Sequence, residues 1–290
     1  MLRSQAILVA LAVGLMAPAL SWAAESSSGA CTAIPPNDLR IPVPSKGVSG
    51  GIGGISETQF LSVVDRLRSA YPGIEFRHNW ARAEVNAYAM VTKKGEQVVV
   101  LNGGLARHPA MTEEGFLLIG CHEVGHHYGG APRRTGLTRD KWASVEGQAD
   151  YFGTLKCLRR IWQGEDNAAA IGLRVVDPTV EAECSRQFPE AGDRDSCRRA
   201  SFATLSLTRL FAELASEPLP GFDTPDRSWV DQTFETHPKA QCRMDTLFQG
   251  SLCTVPLEER LDGTNPYQGT CAARTGFDRG ARSACWFFER

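Results

Sequence analysis

One short run of residues has the types and spacing for hydrolytic chemistry: His122-Glu123-Val124-Gly125-His126, an H-E-x-x-H pattern. Residues four apart on a helix share a face and stand about 6 Å apart along the axis, so one divalent ion can touch both imidazoles. The glutamate between them can hold a water beside that ion and take its proton. These are the parts that metal-assisted attack on a carbonyl requires. A catalytic zinc takes three protein ligands and keeps one position open, so a third ligand is needed. A histidine six residues after His126 would extend the pattern, but Pro132 stands there and cannot bind metal.

Glu146 is the best candidate for that third ligand. It opens Glu146-Gly147-Gln148-Ala149-Asp150, in which the two acids lie four apart and share a helix face. A helix folding back across the Gly129-to-Asp140 turn would bring Glu146 to the ion. Asp150 would then accept the outer N–H of a ligating histidine and fix its tautomer. His127 points about 100° away round the helix and is read as structural or exposed. His78 and His108 have no partner in the pattern and receive no role.

The elements that must position these residues are legible around them. Ser56-Glu57-Thr58-Gln59 is a capping box, followed by Phe60, Val63, Val64, Leu67 and Tyr71 on one helical face, and Pro72-Gly73 stops the helix. Residues 74–78, 86–92 and 97–101 read as strands. Thr112 with Glu113 and Glu114 suits a helix start, Phe116 to Ile119 lead into the histidines, and Gly129, Gly130 and Pro132 end that helix. A second helix is predicted over about 141–162, another over 201–214, and a last one over 236–248. Gly164 to Pro189 gives mixed signals, and Pro218 to Asp226 reads as a proline-rich loop. The fold class expected is α+β: mostly helical, with a small sheet before the metal helix and a disulfide-stapled C-terminal extension.

H-E-x-x-H with a downstream E-x-x-A-D resembles the gluzincins, in particular the M48 metallopeptidases. Asn86-Ala87-Tyr88-Ala89 is similar to that family's N-A-[FY]-A stretch, and Val98 to Leu105 to the strand and turn that follow it. Thr236-His237-Pro238 with Arg243 and Leu247 resembles its H-P-x-x-x-x-R-x-x-x-L segment. The motifs span about residues 56–250. The His126-to-Glu146 interval is shorter than usual for the family, and residues 150–240 and the Cys-rich tail are elaborations. The resemblance implies a zincin-like fold and one Zn2+ per chain held by His122, His126 and Glu146, with Glu123 as general base. It also implies that His237 or Arg243 binds substrate backbone or the developing oxyanion, and that Asp150 assists by orientation or proton relay. An edge strand near Asn86 to Met90 would hold an extended protein or peptide substrate by strand addition.

Composition narrows the setting. Arg3, an apolar stretch over residues 6–20 and Ser21-Trp22-Ala23 read as a signal peptide, residues 1–23, which predicts an exported protein, periplasmic or secreted. Lipoprotein anchoring through Cys31 is the competing reading. Removing the leader leaves 267 residues with 30 basic against 33 acidic side chains, a balance that argues against a dedicated nucleic-acid binder. No other run is long and apolar enough for a transmembrane segment. Residues 24–55 are rich in Ser, Pro and Gly and read as a flexible lead-in; residues 56–250 form the metallopeptidase domain and 251–290 a Cys-rich extension.

Nine cysteines follow the leader, and in an exported chain they read as disulfides. Cys121, among apolar neighbours in the metal helix, is the candidate for the unbridged one. Cys184/Cys197, Cys242/Cys253 and Cys271/Cys285 are the candidate bridges. The leading functional reading is a zinc endopeptidase. The alternatives are a non-catalytic, zinc-stabilised chaperone-like binding module and a zinc amidase acting on cell-wall peptides.

Overall fold

The computed structural model describes residues 29–44, 53–135 and 141–289. The proposed leader, its cleavage point and the glycine run up to Ile52 lie outside those residues. The elements in chain order are β1 (Cys31–Thr32), α1 (Glu57–Ala70), β2 (Glu75–Asn79), β3 (Ala87–Val91), β4 (Gln97–Asn102), α2 (Gly103–Ala106) and α3 (Glu113–Tyr128). Then come α4 (Glu146–Phe152), a π-helical continuation (Gly153–Leu158), α5 (Arg159–Ile161), α6 (Asn167–Ile171), α7 (Pro178–Gln187), α8 (Ala191–Ala215) and α9 (Ala240–Leu252). Among the described residues no helix is long and apolar enough to cross a membrane. The architecture is the expected α+β arrangement, mostly helical around one small sheet.

Local sequence accounts for the first half. Ser56 and Gln59 form the reciprocal capping box, and α1 buries Phe60, Val63, Val64 and Leu67 against α3. The sheet runs β1-β3-β4-β2, with β3 antiparallel to β4 and β2 parallel to it. Thr112 caps α3 by accepting from the Gly115 N–H, and Glu113 and Glu114 complement the helix N-terminus. Sheet, α1, α3 and α8 enclose the main core, in which Phe116, Leu117, Leu118 and Ile119 are fully buried. A satellite core joins Val180, Cys184 and Phe188 of the α7 region to Met244, Phe248 and Leu252 of α9.

Two glycines set the spacing that the site depends on. A Cβ on Gly125 would stand 2.7 Å from the Ala149 carbonyl oxygen, so the glycine just before His126 lets the backbone of α4 pass close against α3. A Cβ on Gly147 would stand 2.2 Å from the Trp286 ring, so the tail packs directly on the other side of α4.

Several expectations are corrected. The second helix begins at Glu146 rather than near residue 141, because Ser144 forms a β-bridge with Arg133 and Val145 is extended: Ser144 N–H donates to the His126 carbonyl and Val145 N–H to the Pro132 carbonyl. The last helix begins at Ala240 rather than Thr236, since His237 precedes a proline that disfavours helical backbone. The lead-in is ordered in part: Cys31, Ala33 and Ile34 are buried, and β1 pairs with the edge of β3. That edge, expected to be open to substrate, is therefore taken.

The cysteine pairing differs in three places. Cys121 is bridged to Cys157, which the π-helical segment carries beneath α3 with the Cα atoms 5.5 Å apart. Cys184–Cys197 forms as expected. Cys242 cannot reach Cys253, because both belong to the continuous turns of α9 and its cap; their 11-residue offset is roughly 16 Å of helix, beyond disulfide reach. Instead Cys242 pairs with Cys285 and Cys253 with Cys271, and both bridges tie α9 to the tail.

Candidate metal centre

His122, Glu123, His126, Glu146 and Asp150 are all fully buried. One ligand atom from each of His122, His126 and Glu146 lies within 4.8 Å of the others. His122 Nε2 is 3.2 Å from Glu146 Oε2, and His126 Nε2 is 3.7 Å from Glu146 Oε1. The imidazoles meet edge to face, with centroids 4.8 Å apart.

The outer nitrogens decide what the inner ones offer. His126 Nδ1 lies 2.9 Å from the Ser144 carbonyl oxygen, which can only accept, so Nδ1 carries the hydrogen and Nε2 presents its lone pair. His122 Nδ1 lies 2.8 Å from Asp150 Oδ1. Asp150 in turn accepts from Arg243 Nε at 2.7 Å and Nη2 at 2.8 Å, and the Arg243 guanidinium lies 3.6 Å above the Phe211 ring. This is the outer support by which metal-binding histidines are oriented.

Donor chemistry and burial together test whether a metal fits. Among the described residues, His122 Nε2, His126 Nε2 and Glu146 Oε2 are buried without a hydrogen-bond partner, and so are both oxygens of Glu123. Such groups are costly to bury unless something ties them together, and two imidazole lone pairs with a carboxylate form a donor set suited to zinc. The residues present fit the ion.

The electrostatics follow from burial and from charge neighbours. Burial pushes the Glu123 carboxyl up to about 8. Burial opposes a proton on His122, but the Asp150 charge and hydrogen bond outweigh it and raise the group to about 9. Burial holds His126 down to about 3. Glu146 stays ionised well below the usual carboxylate range: burial works against it, and the surrounding histidines prevail.

His237 Nε2 is 3.3 Å from Glu146 Oε2 and donates to the Thr32 carbonyl at 2.7 Å. Arg243 Nη1 donates to the Ala33 carbonyl at 2.9 Å. Three participants went unsuspected in the sequence. Ser144 contributes only its backbone, and Arg134, which donates to Glu146 Oε1 at 2.7 Å, sits in no motif. The third, the Thr32–Ala33 stretch, lies in a segment with no helical or strand period. His127 is structural: it is buried, its Nε2 meets the Val98 carbonyl at 3.2 Å, and its ring stacks on Trp142.

The sequence profile of Peptidase family M48 matches residues 57–249. The chain belongs to the M48 metallopeptidases. No curated protein and no solved structure matches it. The family is zinc-dependent and acts on proteins or peptides, and the matched span contains every member of the buried cluster, from His122 to Arg243. The tail that packs Trp286 onto α4 falls outside the matched span.

Proposed function

We propose that the chain is an exported zinc endopeptidase with one Zn2+ per molecule, held by His122, His126 and Glu146. One observation carries this reading: two imidazole nitrogens and a carboxylate oxygen converge with no hydrogen-bond partner among the described residues, beside the equally unpartnered carboxylate of Glu123. Zinc bound there would supply Lewis-acid polarisation of a carbonyl and of a water. Glu123 is the general base: its buried carboxylate takes the proton of the attacking water and passes it to the leaving amine nitrogen. Asp150 keeps the Nδ1 proton of His122 in place and is itself fixed by Arg243. His237 and Arg243 are the backbone-binding donors, with His237 Nε2–H facing the reacting carbonyl and Arg243 the next one along. Four disulfides support the exported setting.

The test is metal analysis of the purified chain beside digestion of an unfolded protein. The reading expects about one zinc per chain, loss of digestion with chelator and recovery when zinc is returned. Digestion that survives complete zinc removal would reject it.

A further inference from the structure

The residues that close the site belong to the chain's own N-terminal stretch, and they are bound by the very groups assigned to substrate. Cys31 and Thr32 add to β3 as an antiparallel strand, in register with Ala89 and Tyr88. The Ala33 N–H donates to the Ala87 carbonyl at 3.2 Å. Asn86 clamps Ile34 from both sides, accepting from its N–H at 3.3 Å and donating to its carbonyl at 3.1 Å. A structural arm on a sheet edge needs only such backbone pairing. Here the carbonyls of Thr32 and Ala33 turn away from the sheet toward His237 and Arg243.

One peptide group stands out. The Thr32 carbonyl meets the Nε2–H of His237, an atom itself 3.3 Å from the ligand oxygen of Glu146. Hydrolysis needs a donor at the carbonyl oxygen, and this bond has one in His237.

Resting on the peptidase reading above, we propose that Cys31–Ile34 is an internal substrate and that Thr32–Ala33 is a self-processing site, hydrolysed once zinc is bound. Water adds to the Thr32 carbonyl carbon while Glu123 takes its proton. The carbon–nitrogen bond to Ala33 breaks and that proton passes to the Ala33 nitrogen. The products are a Thr32 carboxylate and an Ala33 amine, with no change of oxidation state. All four disulfides stay on the Ala33 side, and Cys31 leaves with the released peptide. Until the cut is made, the chain blocks its own cleft.

The test adds zinc to metal-free chain that begins at residue 24, with an unfolded protein present as external substrate. Intact mass and N-terminal sequencing follow the chain itself. The expected result is a new N-terminus at Ala33, absent from the Glu123→Gln variant, and no cut between residues 32 and 33 in the Ala33→Pro variant. Complete digestion of the added protein with Thr32–Ala33 still intact would overturn the proposal and leave the peptidase reading standing. Failure to cut either one would remove both. A readout independent of turnover is hydrogen exchange in the Glu123→Gln chain: the Ala33 and Ile34 amides should exchange at least tenfold more slowly than in the free peptide of residues 29–36. Equal rates would mean that the arm is not docked, and would overturn the proposal.

Discussion

Two arginines reach the same short helix, α4, and their surroundings treat them in opposite ways. Arg243 meets a carboxylate, Asp150, through two of its nitrogens, and the pair braces a histidine of the metal centre. Arg282, in the tail, meets no carboxylate among the described residues. Its donors go to Gln148 Oε1 at 3.1 Å, Thr270 Oγ1 at 3.3 Å and the Pro266 carbonyl, and its guanidinium lies 3.8 Å from the Phe287 ring. Burial lowers its pKa to about 10. A buried cation bound to neutral acceptors fastens one segment to another. A cation bound to a carboxylate that grips an imidazole sets the protonation of that imidazole. The first device holds the tail on α4, and the second tunes the centre on its other side.

The largest expected effect separates chemistry from scaffold altogether. Glu123→Gln should lower kcat by about 10²–10⁴-fold, since a positioned proton carrier contributes on that order, while zinc content stays at wild-type level. Turnover within a few-fold of wild type would remove Glu123 from its role. Next comes the Arg243 side of the comparison. Asp150→Ala strands a buried guanidinium and should cost about 3–5 kcal/mol in urea unfolding, with zinc affinity down roughly 10–100-fold. Stability loss with unchanged zinc affinity would make Asp150 scaffold only. On the Arg282 side, Arg282→Met leaves carbonyls and Gln148 without their donor and should cost about 1–3 kcal/mol. Zinc affinity per folded molecule should not move; a fall comparable to that of Asp150→Ala would give Arg282 the same role at the metal centre as Arg243.

The smallest effect is a pH dependence. His122, raised to about 9, and Glu123, raised to about 8, both hold protons at neutral pH in the metal-free chain. Zinc requires an unprotonated His122 Nε2 and favours an ionised Glu123, so binding expels protons and strengthens as pH rises toward those values. Affinity should climb by about tenfold per pH unit between pH 6 and 8 for each proton released. Calorimetry in buffers of different ionisation enthalpy counts those protons, and a pH-independent affinity would contradict the assigned protonation states.

What the sequence made legible was whatever a single element encodes. The capping box of Ser56, the strands β2, β3 and β4 and the Thr112 start of α3 all depend on neighbours within a few residues. The shared faces of His122 with His126 and of Glu146 with Asp150 depend only on helical spacing. Contacts made by packing were not legible. Cys121 meets Cys157 because a helix 36 residues later passes beneath α3, and no spacing rule says so. The Cys242/Cys253 expectation failed because proximity in sequence becomes separation once α9 is straight. Ser144 enters the site through its carbonyl, which has no side-chain signature, and the arm at Thr32 joins groups more than 200 positions away.

Every role assigned to these residues depends on where the metal sits. Crystals of the zinc-loaded Glu123→Gln chain, measured on both sides of the zinc absorption edge, would show that position directly. The predicted result is one anomalous peak per chain bonded to Nε2 of His122, Nε2 of His126 and a carboxylate oxygen of Glu146. A zinc bound elsewhere, or a peak touching the histidines with Glu146 turned away, would contradict it.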